Sequence, residues 1–370
     1  MNALVSPVDR MRQGILLRLI RTGAAAVCIT GVGALSQHAI ATNSPGSESA
    51  AAVASNDANI HVDKNPGQLI ESMSKALRTL NYEGVFVHAQ GVNLTSMHIL
   101  HSSNAKGEFE RLSALDGEAR EIFRNDSLVT CIWPGTKSVV VSKSKPRRLL
   151  PRIDKNLAMN PSYDFSLNGN DRVAGRTATI VNVLPLDEFR YGYRFWIDVE
   201  TNMLLRSMLL EGANVPVEQV IFTQIEYPDS IDSSRFDIIA HGERGELASW
   251  LEPKKAKATS ELKQQKSQPG NRVGFNSLPE GYRKISETFS SLSLDQGPMS
   301  HVMISDGMAS VSVYVEYLSG DDRPRTVSGL SRMGAMNAYS TSTRAAFITA
   351  VGEVPEATVR AIAAAVILIE

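Results

Sequence analysis

The chain has 370 residues and carries 38 basic and 39 acidic side chains, which gives a formal charge of −1. This balance excludes a strongly cationic surface, so nucleic acid is not expected as a partner. The length exceeds what one ordinary hydrophobic core supports, and two domains are therefore expected.

Residues 1–41 are typical of a secretory signal peptide. Four arginines precede an apolar run at 22–35, and Ala39 and Ala41 are small residues at the two positions that a signal peptidase reads. The run is shorter than the roughly twenty residues that a membrane span needs, which makes an uncleaved anchor the weaker alternative. We expect cleavage after Ala41 and a mature chain outside the cytoplasm.

A helix and a series of strands follow. Residues 42–64 are small and polar and predict a disordered tail. A helix is predicted from Asn65, because Asn is a good N-cap and Pro66 suits the first helical position. Strand follows strand without crossover helices, so the sheet should be antiparallel. The predicted strands are 84–89, 92–101, 108–113, 121–124, 128–133, 137–142 and 177–183.

A basic, proline-containing loop is predicted at 143–157, and a short helix or turn at 161–169. Solvated surface is the plain interpretation of the loop. The alternative is a docking site for lipid phosphates or an acidic peptide, since guanidinium groups bind such anions through paired hydrogen bonds. The candidate residues are Lys143, Lys145, Arg147, Arg148 and Arg152.

Three strands joined by polar turns are predicted between Tyr193 and Tyr227, and neither face of this meander is polar. One face carries Met203, Leu205 and Leu209, and the other carries Trp196, Leu204, Met208, Leu210, Val220 and Phe222. Antiparallel sheets commonly have one solvent-exposed, polar face. Plain core is one interpretation. The other is an apolar cavity for an acyl chain, in which each buried methylene contributes about 0.8 kcal/mol. Its candidate lining is Trp133, Phe195, Trp196, Leu205, Met208 and Phe222.

A linker is predicted at 246–271, where Lys, Gln and Ser dominate, and it would let two domains reorient. The segment 272–370 predicts a small α+β domain. Its strands are expected at 283–294, 300–305, 309–318, 335–341 and 345–351, and a closing helix at 355–369.

The residues predict no catalytic, metal or cofactor site, so an enzyme is the weakest class. His98 and His101 are three positions apart, which in a strand places them on opposite faces, where they cannot share a metal. Exposed strand histidines are the expectation. Neither a Gly-rich phosphate loop nor a Ser-centred elbow is present.

Seven motifs, in order, carry a resemblance to a known family. The large domain has YEGVFV from Tyr82, ERLSALDGEAREIFR from Glu110, RVAGR from Arg172 and RYGYRFW from Arg190. The second domain has LPEGY from Leu278, SDGMASVSVYVE from Ser305 and VGEVPEATV from Val351. From about residue 66 to the end, the chain resembles the RseB/MucB family, the periplasmic regulators of the sigma-E envelope-stress pathway.

The resemblance implies a fold and a function. Residues 65–245 would form an unclosed antiparallel β-barrel wrapped around helices, similar to the lipoprotein carriers. The protein would be a periplasmic negative regulator that binds the periplasmic part of a membrane anti-sigma factor and shields it from site-1 proteolysis. Lipopolysaccharide or lipoprotein acyl chains would release that partner.

Two alternatives stay open. A periplasmic lipid or lipoprotein carrier is the runner-up, but the second domain and the linker favour a regulator, because such carriers have a single domain. The resemblance also leaves open a homo-oligomer. No cofactor is implied.

Overall fold

The computed structural model describes residues 65–125, 128–136, 138–142, 160–212, 215–238, 272–291, 298–318 and 329–369. The predicted signal peptide, tail, basic loop and linker lie outside these residues, and so do the five basic candidates from Lys143 to Arg152. In the described segments, no helix combines the length and apolar character that a membrane crossing requires.

The first helix, α1 (Pro66–Thr79), begins at a side-chain cap as predicted. The carboxamide Oδ1 of Asn65 accepts a hydrogen bond of 2.8 Å from the N–H of Gly67, and Pro66 takes the first helical position. One face of α1 is buried and consists of Leu69, Ile70, Met73, Ala76 and Leu77. This apolar stripe is what holds the helix on the sheet.

Among the described residues of the large domain, eleven antiparallel strands form one sheet, in the spatial order β6-β5-β4-β3-β2-β1-β11-β10-β9-β8-β7. Within the described chain the outermost strands, β6 and β7, do not pair with each other, so the sheet is unclosed, as the resemblance implied. The strands are β1 (Tyr82–Gln90), β2 (Asn93–Asn104), β3 (Gly107–Ala114), β4 (Glu121–Asn125), β5 (Leu128–Trp133), β6 (Ser138–Ser142), β7 (Tyr163–Val173), β8 (Arg176–Pro185), β9 (Gly192–Asp198), β10 (Leu204–Glu211) and β11 (Val215–Glu226).

The inner face of this sheet packs on α1 and forms the main core. Phe86 in β1 lies opposite Met97 in β2 and Phe222 in β11, and the Phe86 and Phe222 rings are 5.6 Å apart. All three side chains are no more than 2 % exposed. Burial of each such side chain contributes about 1.5–3 kcal/mol, so the sheet and α1 stabilise each other.

The helix or turn predicted at 161–169 was correct only for Pro161 and Ser162, which form a turn, because the residues from Tyr163 onward belong to strand β7. The sequence from Asp164 to Arg172 is mostly polar and lacks the alternation that indicates a half-buried strand. An edge strand needs less of that alternation, since much of it faces water. β7 is such an edge strand.

The faces predicted for the meander were also partly wrong. Val220 was placed on the same face as Met208, but Val220 lies opposite Ser207, whereas Met208 lies opposite Gln219. Directly opposed residues share a face and neighbouring residues alternate. Register shifts at Leu209/Leu210 and at Leu204/Arg206 break the period-2 count on which the prediction relied.

The second domain is a six-stranded antiparallel sheet in the order β13-β14-β15-β18-β17-β16, with helix α2 (Glu356–Ala364) packed on β17 and β18. Its strands are β13 (Arg283–Ser291), β14 (Pro298–Ser305), β15 (Ser310–Tyr317), β16 (Gly329–Met333), β17 (Met336–Ser342) and β18 (Ala346–Gly352). A separate two-stranded ribbon pairs β12 (Arg272–Phe275) with β19 (Val366–Ile369). The predicted α+β class is confirmed.

The closing helix was predicted too long. It ends at Ala364, and Val366–Ile369 continues as strand β19. β-branched residues favour a strand once a partner is available, and β12 provides that partner. Strands β12 and β16 were missed, because each is short and has little apolar alternation.

Replacing Gly84 by alanine should destabilise the protein. An added Cβ would lie 2.6 Å from the carbonyl oxygen of Gln224 and 3.0 Å from the Phe222 ring, so β1 would have to move away from β11. We expect the free energy of unfolding to fall by about 1–3 kcal/mol, measured by urea denaturation with tryptophan fluorescence. Gly329→Ala is the matched control, because nothing lies within 4 Å of its added Cβ. An equal loss in both variants would contradict the close packing of β1 and β11.

Candidate functional site at the junction of the two domains

The loop between β8 and β9 reaches into the second domain. Phe189 in this loop packs against the core of that domain. Its carbonyl oxygen accepts hydrogen bonds from the Tyr282 hydroxyl at 3.0 Å and from the Thr358 hydroxyl at 2.7 Å. Three elements of the chain therefore meet at one residue of the large domain.

Arg190, the next residue, is fully buried, and its guanidinium donates three hydrogen bonds. Its Nε donates to Oδ2 of Asp306 in the second domain at 2.8 Å. Its Nη1 donates to the carboxylate of Asp187, and its Nη2 donates to the carbonyl oxygen of Glu280. A single guanidinium thus joins partners from both domains in a fixed fork geometry.

Asp306 is satisfied on every side. Its Oδ2 also accepts a hydrogen bond from the Tyr163 hydroxyl at 3.1 Å, and its Oδ1 accepts from the N–H groups of Met308 and Ala309 at 3.0 and 2.8 Å. The side-chain amide of Asn160 donates to the Asp306 carbonyl oxygen at 3.0 Å. The turn that follows β14 is therefore held by the large domain as well as by its own backbone.

Aromatic rings and a glycine complete the cage around Arg190. The guanidinium carbon lies 4.8 Å from the ring centroid of Tyr282 and 5.8 Å from that of Tyr163. Gly281 has a φ of +79°, and a Cβ there would be 3.0 Å from Nη2 of Arg190. Glycine is therefore needed at this position for two reasons: other residues rarely adopt this positive φ, and a larger side chain would crowd the Arg190 guanidinium.

The neighbouring carboxylates keep the buried Arg190 guanidinium charged. Burial alone would lower the pKa of Arg190, but the charges of Asp306 and Asp187 outweigh that effect and raise the pKa. Burial and the nearby Asp306 carboxylate raise the pKa of the Tyr163 and Tyr282 hydroxyls, which therefore stay protonated and can donate. The junction is a buried ion pair surrounded by neutral donors.

A second, smaller contact lies beside this cage. Tyr191 and Leu209 of the large domain form an apolar cluster with Ala335. The side-chain amide of Asn337 donates to the Tyr191 hydroxyl at 3.1 Å, and burial raises the pKa of Tyr191 to about 12. Together with the cage, these contacts oppose the free reorientation that a flexible linker would allow.

The six candidates for an acyl-chain lining do not share one face of the sheet. Phe195, Leu205 and Phe222 are fully buried in the core with α1, and Trp133 packs against the same core. Trp196 and Met208 lie on the other face by their register, opposite Arg206 and Arg194 respectively, although Trp196 is only 4 % exposed and both side chains also contact this core. The set therefore divides between two surfaces, and its role in lipid binding stays a prediction.

The expectation of exposed strand histidines was wrong for His101. Its side chain is fully buried, with Nδ1 2.7 Å from the Leu80 carbonyl oxygen and Nε2 3.1 Å from Glu108. His98 faces the other side of the strand, as predicted, and pairs with Glu83 at 2.9 Å. In the described part of the chain, no cluster of three His, Cys, Asp or Glu side chains could hold a metal ion.

Two family models together match most of the chain. Residues 65–240 match the MucB/RseB N-terminal domain, and residues 267–367 match the MucB/RseB C-terminal domain. The chain belongs to the MucB/RseB family.

Curated relatives in this family are regulatory proteins. The chain is 27% identical over 302 residues to the sigma-E factor regulatory protein RseB of Haemophilus influenzae, which covers 80% of this chain and 89% of the relative. It is 27% identical over 303 residues to the sigma factor AlgU regulatory protein MucB of Pseudomonas aeruginosa, with 80% and 88% covered.

Solved structures show the same fold. The P. aeruginosa MucA/MucB complex matches with a TM-score of 0.63 and 23% identity, over 82% of this chain and 99% of the matched one. MucB in complex with MucA(peri) matches with a TM-score of 0.62 and 23% identity, over 83% and 100%.

Sequence reasoning missed the Arg190 junction, although the signal was present in three motifs. RYGYRFW contains Arg190 and Tyr191, LPEGY contains Gly281 and Tyr282, and SDGMASVSVYVE contains Asp306. These segments are distant along the chain and come together at the junction.

Asp306→Asn should destabilise the protein strongly. The change leaves the buried Arg190 facing a neutral group where it now faces a carboxylate at 2.8 Å, and losing one partner of a buried pair costs about 3–5 kcal/mol. Urea unfolding measures the loss, and the double variant with Arg190→Met should recover part of it. The exposed interdomain pair Arg332–Glu211, at 2.8 Å, is the control. Its removal should cost no more than about 1 kcal/mol.

Proposed function

We propose that this protein is a periplasmic negative regulator that binds the periplasmic part of a membrane anti-sigma factor. The observation that carries the proposal is the match of both domains, in order, to the MucB/RseB family models. The relatives are named as sigma-factor regulatory proteins, and MucB has been solved in complex with MucA. In the finer form of the proposal, the mature chain starts after Ala41, and bound partner is shielded from site-1 proteolysis.

Release of the partner by lipopolysaccharide or lipoprotein is the second part of the proposal. A lipid that binds only the released form weakens partner affinity by its differential binding energy, about 1.4 kcal/mol per factor of ten. An acyl chain would reach Phe195 and Phe222, which are 0 and 1 % exposed, if α1 moved away from the sheet. Such a displacement offers a physical route from lipid binding to a changed surface.

The basic residues Lys143, Lys145, Arg147, Arg148 and Arg152 are proposed to bind the anionic groups of that lipid. Their charge is the supporting observation. The alternative function, a lipid or lipoprotein carrier, is favoured by the unclosed sheet that packs around α1. The buried interdomain junction favours a regulator, because it commits the second domain to a fixed position.

The test is a titration of the exported protein with the periplasmic segment of the host's anti-sigma factor, with and without lipopolysaccharide. We expect tight binding that lipopolysaccharide weakens at least about tenfold, measured by isothermal titration calorimetry. Reversal of the charges of Lys143 and Lys145 should reduce this effect of lipopolysaccharide and leave partner affinity unchanged in its absence.

Other outcomes separate the alternatives. Partner binding that lipopolysaccharide does not weaken would support the regulatory function and reject the proposed release by lipid. Lipid binding by a protein that does not bind the segment would identify a carrier.

A further inference from the structure

We propose that the outer face of the large sheet, turned away from α1, binds an acidic, amphipathic segment of the partner protein. This inference rests on the proposed function and names the surface that carries it out. The surface is a row across five neighbouring strands, in which each residue lies opposite the next. The row consists of Val87, Ile221, Arg206, Trp196 and Ile180.

The row faces outward because its chain neighbours face the core. Phe86, Phe222, Phe195 and Val181 adjoin members of the row and are all buried with α1. Side chains alternate between faces along a strand, so the row lies on the opposite side. Val87, Ile221 and Ile180 are half-buried there, and so is Met208 beside them. Trp196 itself is only 4 % exposed, because the Arg206 guanidinium covers its ring, so the accessible part of the row is that guanidinium and the aliphatic side chains around it. Partly exposed aliphatic side chains beside a cation suit a partner surface more than bulk water.

Two arginines on this face are held by neutral groups. The Arg206 guanidinium lies 4.2 Å above the Trp196 ring, and its Nη2 donates to Oε1 of Gln219 at 2.9 Å. Arg194, opposite Met208, donates from Nε to Oδ1 of Asn182 at 2.8 Å. Throughout the described residues, no carboxylate lies within 4.0 Å of either guanidinium.

Two arginines elsewhere in the large domain have carboxylate partners. Arg176 binds Asp198 at 2.6 Å, and Arg235 binds Glu83 at 2.7 Å. The nearby Asp171 is engaged differently, because its Oδ2 accepts a hydrogen bond of 2.9 Å from Nε1 of Trp196. Burial and the charge of Arg194 lower the pKa of Arg206, against the attraction of Asp171. An incoming carboxylate would relieve this repulsion between the two cations.

The geometry favours carboxylates next to apolar side chains. Stacking on Trp196 fixes the Arg206 guanidinium in place, so little side-chain entropy is lost when it binds an anion. The apolar members of the row would cover aliphatic side chains of the same segment. A protein segment with acidic residues beside an apolar stripe matches both features, and charge complementarity of this kind sets specificity and association rate.

The test measures binding of the anti-sigma factor's periplasmic segment to three variants of the exported protein by fluorescence anisotropy, at low and high salt. Arg194→Glu and Arg206→Met should each weaken binding about tenfold and reduce its salt dependence. Arg283→Glu, at an exposed position of β13 in the second domain, is the matched control and should stay within about twofold of the wild type. Urea midpoints check that every variant is folded.

Hydrogen exchange of the wild-type protein gives an independent measurement. Bound segment should slow amide exchange in β9 and β10, and unchanged exchange there would overturn the proposal. Wild-type affinity in both arginine variants would also overturn it, while leaving the proposed regulator in place. Loss of the lipopolysaccharide effect alone would assign the arginines to a lipid phosphate and reject a protein ligand. Failure of the wild-type protein to bind the segment would instead reject the proposed function itself.

Discussion

The arrangement of the two domains depends on one buried cation. The Arg190 side chain extends from the large domain into the junction, where it is fully buried and pairs with Asp306 of the second domain. Each buried charge is therefore neutralised by the other. Any other docking of the domains would leave one of them buried and uncompensated, or return both to water and open the junction. A buried ion pair of this kind adds less to total stability than to the choice of one geometry. Here the Arg190–Asp306 pair fixes the position of one sheet relative to the other.

The large sheet has two faces with different chemistry, and they suit different ligands. The inner face is apolar, closed by α1 and free of bulk water around Phe86 and Phe222. The outer face combines half-buried aliphatic side chains with the cations of Arg194 and Arg206. If lipid and partner use opposite faces as proposed, lipid does not release the partner by occupying its site. The two ligands would be coupled through the curvature of the strands between them.

Local features of the fold were predictable from the sequence because local chemistry determines them. Asn65 and Pro66 start α1, and period-2 alternation located most strands of both sheets. Features that depend on pairing between residues far apart in the sequence could not be predicted from it. The polar β7 is a strand because β8 pairs with it, and β-bulges in the meander decided which side chains reach α1. Arg190 was overlooked for the same reason, since its partners come from residues 116 and 90 positions away.

The central pairing of β1 with β11 has a consequence for how the chain folds. The strands on either side of it are meanders of sequential neighbours, β1–β6 and β7–β11, which need only short loops to form. The β1–β11 pairing instead brings Gln90 to Glu218, across most of the domain. Its loop-closure entropy makes it a slow step, so each half-sheet should form before the domain is complete. The core of the large domain therefore cannot close until the residues near Glu226 are available to pair with β1.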